Sequence, residues 1–195
     1  MSHSCALIGR AMRISAAACE DLRLASAMHD IGKIGIPDAV LLKPGALNGQ
    51  ERAMIERHPE IGHQILTGSN DRVMVMAATI ALTHHERVDG DGYPQGMRGD
   101  QIPLAGRIAA VADVFDALTH DRVYRPALDI DEALTIVREG RGYHFDPLVL
   151  DAFEAVLSSV IELRIRFPDA VSHEPGSRYP AQPTRTVHAE RRVHA

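Results

Sequence analysis

Residues 72–85, RVMVMAATIALTHH, constrain the fold more than any other stretch. Apolar side chains fall on every side of the helical period, so a helix here has no face to offer water and must be buried among other elements. It also ends in two adjacent histidines, His84 and His85. The rest of the chain supplies partners at the same period. Leu7, Ile8 and Met12 mark an amphipathic stripe over Ser4–Met12, and Ser15 is placed to cap a helix over Ala16–His29 that stops at Gly32. Asn48 with Glu51 has the spacing of a capping box for a helix to about Arg57, and Pro59 starts or bends the next piece, to Leu66. Helices are expected over Leu104–Leu118, Asp131–Arg138 and Pro147 to about Ile165, with GIPDAVLLKPGAL read as an ordered loop. The expected fold is all-α, a bundle of about seven helices spanning residues 1–165. From 166 to 195 prolines, arginines and histidines without apolar periodicity predict a disordered tail, with His173, His188 and His194 in solvent.

A chain of 195 residues that is 45% hydrophobic can bury one sizeable core. A net charge of -5 argues against binding duplex DNA or an anionic membrane over the whole surface, and leaves room for a nucleotide in a locally basic cleft. No window approaches the ~18 apolar residues of a membrane span, and MSHSCALIGRAMR lacks the layout of a secretory signal. Cys5 and Cys19 have no C-x-x-C spacing and read as small buried hydrophobes in a reducing cytoplasm.

The eleven histidines carry the chemical signal. His29-Asp30, His58, His84-His85 and Asp113 each lie in or at the end of an expected helix. Any one of them alone is a core histidine or a capping aspartate. As a set they are costly to bury unpaired, whereas imidazole and carboxylate together suit divalent iron, manganese or zinc. Two such ions side by side suit hydrolysis at phosphorus.

The motifs HDIGKIGIPD, LLKPG, RHPEIG, HHERVDGDGYPQG and VADVFDALTHDRVYR, in this order from about Cys5 to about Phe153, resemble the HD-GYP family, named for His29-Asp30 and Gly92-Tyr93-Pro94. The resemblance implies a metal-dependent phosphodiesterase that opens cyclic di-GMP to pGpG and on to GMP. It places His29, Asp30 and Asp113 on one ion, and His58, His84 and His85 with the bridging Asp30 on its neighbour. The ions would be iron or manganese, two in number, with a third in relatives that have a complete first helix. Lys33 matches the residue that steadies the scissile phosphate or protonates its leaving group; as a bare feature it is also a lysine near a helix end. Arg122 and Arg125 fit positions that hold phosphate or guanine, with pairing to Asp116 or Asp121 as the structural alternative. Gly92 and Tyr93 are placed beside substrate, while Glu86 and Asp89 are expected to fix that loop. Asp116, on the face of Asp113, is expected to support it. His63, His120 and His144 are assigned to packing or solvent.

The family also carries a glutamate and a histidine on its first helix, before the point at which Met1 aligns. The chain is thus expected to begin partway through that helix, N-terminally truncated, with the ion of His29 and Asp113 short of a ligand. His3, about six residues past the expected histidine, would point some 240° away around the helix. Two functional expectations follow: a cytoplasmic cyclic di-GMP phosphodiesterase, or a catalytically reduced module that binds cyclic di-GMP or a partner without turnover. An upstream receiver or sensory domain and a GGDEF-type protein are the partners that the resemblance implies.

Overall fold

In the computed structural model, which describes residues 1–120 and 126–166, the elements are helical throughout. The α-helices are α1 Ser2–Ala11, α2 Ala16–Ser26, α3 Asp38–Leu41, α4 Gly49–Ile55, α5 His58–Leu66, α6 Arg72–Thr83, α7 Leu104–Thr119, α8 Ile130–Glu139, α9 Pro147–Ala155 and α10 Leu157–Arg166. Short 3-10 turns cover Ile31–Gly35 and Gly99–Gln101. Among the described residues there is no strand, only an isolated bridge between Arg141 and Phe145. None of these helices is long and apolar enough to cross a membrane. The tail expected at 166–195 lies, from residue 167 onward, outside the described residues.

Local signals set most boundaries. The Ser15 hydroxyl accepts from the Ala18 amide at the start of α2. Asn48 and Glu51 form a reciprocal capping box on α4. Asp71, Asp129 and Asp146 each accept from the first-turn amides of α6, α8 and α9, the groups that a helix leaves without internal partners. The ten described helices exceed the eight helical stretches expected one by one for two reasons. The segment expected as a loop contains the single turn α3, and Pro147–Ile165 is broken at Val156 into α9 and α10.

The apolar α6 packs against α2, α5 and α7 and buries Ala77, Ala78, Ile80 and Ala81, but it is not enclosed on every side as its composition suggests, since Val75 stays exposed. Helix α7 is enclosed more completely. Ile108, Val111, Val114, Phe115 and Leu118 face a core shared with Ile8, Ile80, Val137, Val149 and Phe153, and the rings of Phe115 and Phe153 meet edge to face at 5.0 Å.

Helix α2 stops at Ser26 rather than His29. The chain turns and then tightens into the 3-10 segment Ile31–Gly35, which packs on α5. Contact there is backbone to backbone: a Cβ on Gly32 would overlap the His58 carbonyl oxygen and the Gly62 amide nitrogen. Only glycine allows this approach, and it presses the His29-Asp30 turn against the start of α5. Gly32→Ala is therefore expected to lower stability by about 1–3 kcal/mol or more through forced separation of these segments. Urea denaturation checks this, and a midpoint equal to that of the wild type would contradict it.

Candidate metal centre

Six side chains converge from four parts of the bundle. His29 and Asp30 lie on the turn after α2, His58 opens α5, His84 and His85 follow α6, and Asp113 projects from α7. Three of the imidazoles are held alike. The Nδ1 of His29 donates to the Ser26 carbonyl (3.0 Å), that of His58 to Ile55 (2.7 Å), and that of His84 to Ile80 and Ala81 (both 3.0 Å). A carbonyl only accepts, so Nδ1 carries the proton in each ring and Nε2 is turned inward. Such a bond fixes the tautomer and plane of a metal-binding imidazole.

Asp30 stands between two groups of these nitrogens. Its Oδ2 lies 3.4 Å from His29 Nε2 and 2.5 Å from Lys33 Nζ. Its Oδ1 lies 3.3 Å from His58 Nε2 and 3.8 Å from His84 Nε2, and those two ring nitrogens are 3.4 Å apart. His29 Nε2 also lies 3.5 Å from Asp113 Oδ1. Asp30 Oδ1 is buried without a hydrogen bond. Burial holds His84 neutral by pushing its pKa down to about 4, so its inward nitrogen presents a lone pair rather than a proton. An orphaned carboxylate oxygen facing such a nitrogen lacks a cation to join them. Donor atoms from Asp30, His58, His84 and His85 all lie within 4.8 Å of one another. Opposite donors around one ion, each ~2.0–2.2 Å away, are separated by about twice that distance, so the set fits a divalent metal.

The titration behaviour has the same origin. Burial works against the charges of Asp30 and Asp113, but the adjacent imidazoles prevail: His29 and His58 at Asp30, and His29 at Asp113. Both carboxyls are held well below the ordinary carboxylate range. Burial likewise opposes a charge on His29, yet Asp113 and Asp30 raise its pKa to about 10. Burial, aided by the neighbouring His84 and His58, pushes His85 well down, and burial with the nearby Arg87 pushes His144 to about 4.

The GYP loop is anchored on the residues that follow His84. Glu86, fully buried, accepts from the amides of Gln95 (2.7 Å) and Met97 (2.9 Å), and Asp89 pairs with Arg87 and accepts from the Asp91 amide. Both fix the loop, as expected. Gly92 lies against backbone: a Cβ there would overlap the Arg87 amide nitrogen and come within 2.6 Å of the His85 carbonyl oxygen. Tyr93, joined to Pro94 by a cis peptide bond, is half-buried with its ring on His85. Arg122 and Arg125 lie outside the described residues.

Asp116 departs from expectation. It shares a helix face with Asp113 but pairs with the amino group of Met1 (2.8 Å) instead of supporting the site. His63 donates to the Ala78 carbonyl across the α5–α6 contact, and the half-buried ring of His144 stacks on Phe145, so both are packing residues. His3 is exposed on α1. Sequence reasoning missed the carbonyls of Ser26, Ile55, Ile80 and Ala81 that aim the rings, because backbone acceptors leave no residue-type signature.

These shifts set how the metal-free protein responds to pH. Unfolded histidines titrate near 6.5, above the folded values of His84, His85 and His144. The unfolded chain therefore binds more protons as pH falls below 6.5, and stability is lost down to about pH 4. His29 acts in reverse: its contribution is complete below 6.5 and is lost as pH rises toward about 10. Thermal melts without metal are expected to peak at about pH 6–7. A melting temperature that climbs steadily through about pH 9 would contradict this account.

Comparison with known proteins agrees with the arrangement. The family model of the HD domain matches residues 1–149. A cyclic di-GMP phosphodiesterase of Vibrio cholerae is 48% identical over 148 residues, covering 73% of this chain and 30% of the relative. The cyclic di-GMP phosphodiesterase response regulator RpfG of Xanthomonas campestris is 48% identical over 152 residues, covering 78% and 40%. A cyclic di-GMP phosphodiesterase of Thermotoga maritima is 39% identical over 177 residues, covering 90% and 48%. The chain thus spans less than half the length of each of these relatives. Among solved structures, Bd1817, an HDG"Y"P protein from Bdellovibrio bacteriovorus, shares the fold with a TM-score of 0.62 at 19% identity, covering 80% of this chain and 50% of that one. The ordered motifs and the family match lead to one conclusion: the chain belongs to the HD domain family, in its HD-GYP form.

Proposed function

We propose that this chain is a cytoplasmic metal-dependent phosphodiesterase that opens cyclic di-GMP to linear pGpG, with GMP as the product of a second cleavage. The observation that carries the reading is the division of Asp30 between two nitrogen groups, His29 on one oxygen and His58 with His84 on the other. A carboxylate so placed suits two neighbouring ions. His58, His84, His85 and Asp30 would hold one, and His29, Asp30 and Asp113 the other. The nitrogen-rich donor set with shared carboxylates favours iron or manganese over magnesium or calcium. When bound, such ions supply Lewis-acid stabilisation of phosphate charge and an activated water.

The chain's own residues do the rest. Lys33 Nζ, half-exposed beside Asp30 Oδ2, is positioned to offset charge on a phosphate oxygen or to deliver a proton to the departing ribose oxygen. Pairing with Asp30 keeps that ammonium at the rim of the site. The aspartates remain ionised because their imidazole neighbours outweigh their burial. Arg122 and Arg125 are the residues proposed to grip phosphate or guanine, on the strength of their motif positions. Gly92 contributes through the tight crossing of its loop.

Cyclic di-GMP is favoured as substrate because the relatives at 48% identity carry that activity in their names. Other relatives, at 41–44% identity, are named for cyclic di-GMP or for 3'3'-cGAMP. The purified chain, loaded anaerobically with Fe(II) or Mn(II), is expected to convert cyclic di-GMP to pGpG. Asp30→Ala is expected to cost on the order of a thousandfold or more in kcat/KM, from the several kcal/mol of charge stabilisation that the shared carboxylate supports. Chelation should remove turnover and re-addition restore it. Saturable binding without turnover under either metal would overturn the proposal, and faster turnover of 3'3'-cGAMP would overturn its choice of substrate.

A further inference from the structure

The fourth imidazole lacks the device that aims the other three. His29, His58 and His84 are each held through Nδ1 by a backbone carbonyl, whereas the ring of His85 makes no hydrogen bond among the described residues. Three rings surround it instead, those of His84 at 4.0 Å, Tyr93 at 4.7 Å and His58 at 5.0 Å, and only that of Tyr93 is near-parallel, at 24°. We infer that Tyr93 is a positioning residue for the metal ligand His85, its aromatic face holding the tilt of a ring that no carbonyl holds. This rests on the metal reading above and adds to it a residue that acts through His85 without itself binding the ion.

The loop is built to deliver that face. The Tyr93 amide donates to the carbonyl of His85 itself (3.2 Å), so the two residues are joined through backbone as well as through their rings. Gly92 permits the crossing because the space beside it is filled by the backbone of residues 85–87. Beyond the ring, Glu86 captures the amides of Gln95 and Met97. Three consecutive residues, His85, Glu86 and Arg87, thus form the bed on which the loop lies. The Tyr93 ring also stands edge-on to His58, centroids 6.5 Å apart at 77°, closing the same side of the proposed ion site. A stacked ring leaves rotation of His85 within its own plane unopposed, but it prevents the ring from tipping away from the other donors. Burial also keeps the Tyr93 hydroxyl protonated, its pKa raised above the ordinary phenol range, so the residue brings no competing negative charge.

The test separates ring from hydroxyl and metal binding from turnover. Tyr93→Phe retains the stacking face, Tyr93→Leu retains apolar bulk without it, and Tyr93→Ala removes both. Mn(II) binding is measured by calorimetry on each protein, with circular dichroism to verify folding. Tyr93→Phe is expected to bind within about threefold of the wild type. Tyr93→Leu and Tyr93→Ala should weaken one of two ions by ~10–100-fold, the range typical for residues that orient a ligand, and leave the other unchanged. In the metal-free protein, the ring nitrogen signals of His85 should shift in Tyr93→Leu and not in Tyr93→Phe. Wild-type affinity for both ions in Tyr93→Leu, or equal losses in Tyr93→Phe and Tyr93→Leu, would overturn the inference and leave the metal reading intact. A wild-type chain that takes up no Mn(II) would overturn both.

Discussion

Asp30 and the imidazoles around it impose the condition that the rest of the bundle satisfies. A carboxylate drawn from water is costly unless charge or hydrogen bonds replace its hydration. Here the replacement is divided. Lys33 and His29 answer one oxygen, and the other meets only inward-facing ring nitrogens of His58 and His84. Protein groups therefore neutralise half of this carboxylate and leave the second half for a cation. Asp113 adds a further negative charge beside His29. The interior is poised between two compensations, a proton on His29 when no metal is present and divalent charge when it is.

Helix ends make this arrangement affordable to the backbone. The last turns of a helix leave carbonyls without internal partners, and they form the negative end of its dipole. Ser26 is the final residue of α2 and Ile55 of α4, while Ile80 and Ala81 belong to the last turn of α6. These are the acceptors that hold His29, His58 and His84. Three helices thus direct their negative ends at one place, which favours positive charge there. The same bonds add a ring donor to carbonyls at the helix ends, those of Ser26 and Ile80 already accepting from the His29 and His84 amides, and fix the tautomer of each ring. One set of contacts ends the helices and prepares the site.

Much of this was legible in the sequence, and for identifiable reasons. Caps at Ser15 and at Asn48 with Glu51 depend on local side-chain chemistry, and they set their helices as expected. The packing of α6 into the bundle followed from its apolar residues, although Val75 stays exposed and its burial is not all-round. The gathering of His29, Asp30, His58, His84, His85 and Asp113 was suggested by motif order alone. The end of α2 was not legible, because it depends on the approach of Gly32 to α5, a contact between segments distant in sequence. Asp116 misled for a related reason: sharing a helix face with Asp113 says nothing of what stands opposite, and the amino group of Met1 stands there. Side-chain patterns reveal what a residue can do, while backbone acceptors and close crossings decide where it points.

The contiguity of His84, His85 and Glu86 has a physical consequence. Two of these residues face the proposed ions, and the third holds the loop that covers them. Because neighbouring residues at a helix end share one backbone trajectory, the loop cannot shift as a unit without disturbing the ligand pair, nor can the pair move without carrying the loop. The carboxylate of Glu86 is fully buried, so releasing the amides of Gln95 and Met97 would strand it. That cost ties loop to metal site more firmly than any contact across the surface would. In this fold the GYP segment belongs to the metal centre in the mechanical sense, whatever it also offers to a nucleotide. Substitutions along residues 92–97 should accordingly be read first through the geometry of His84 and His85.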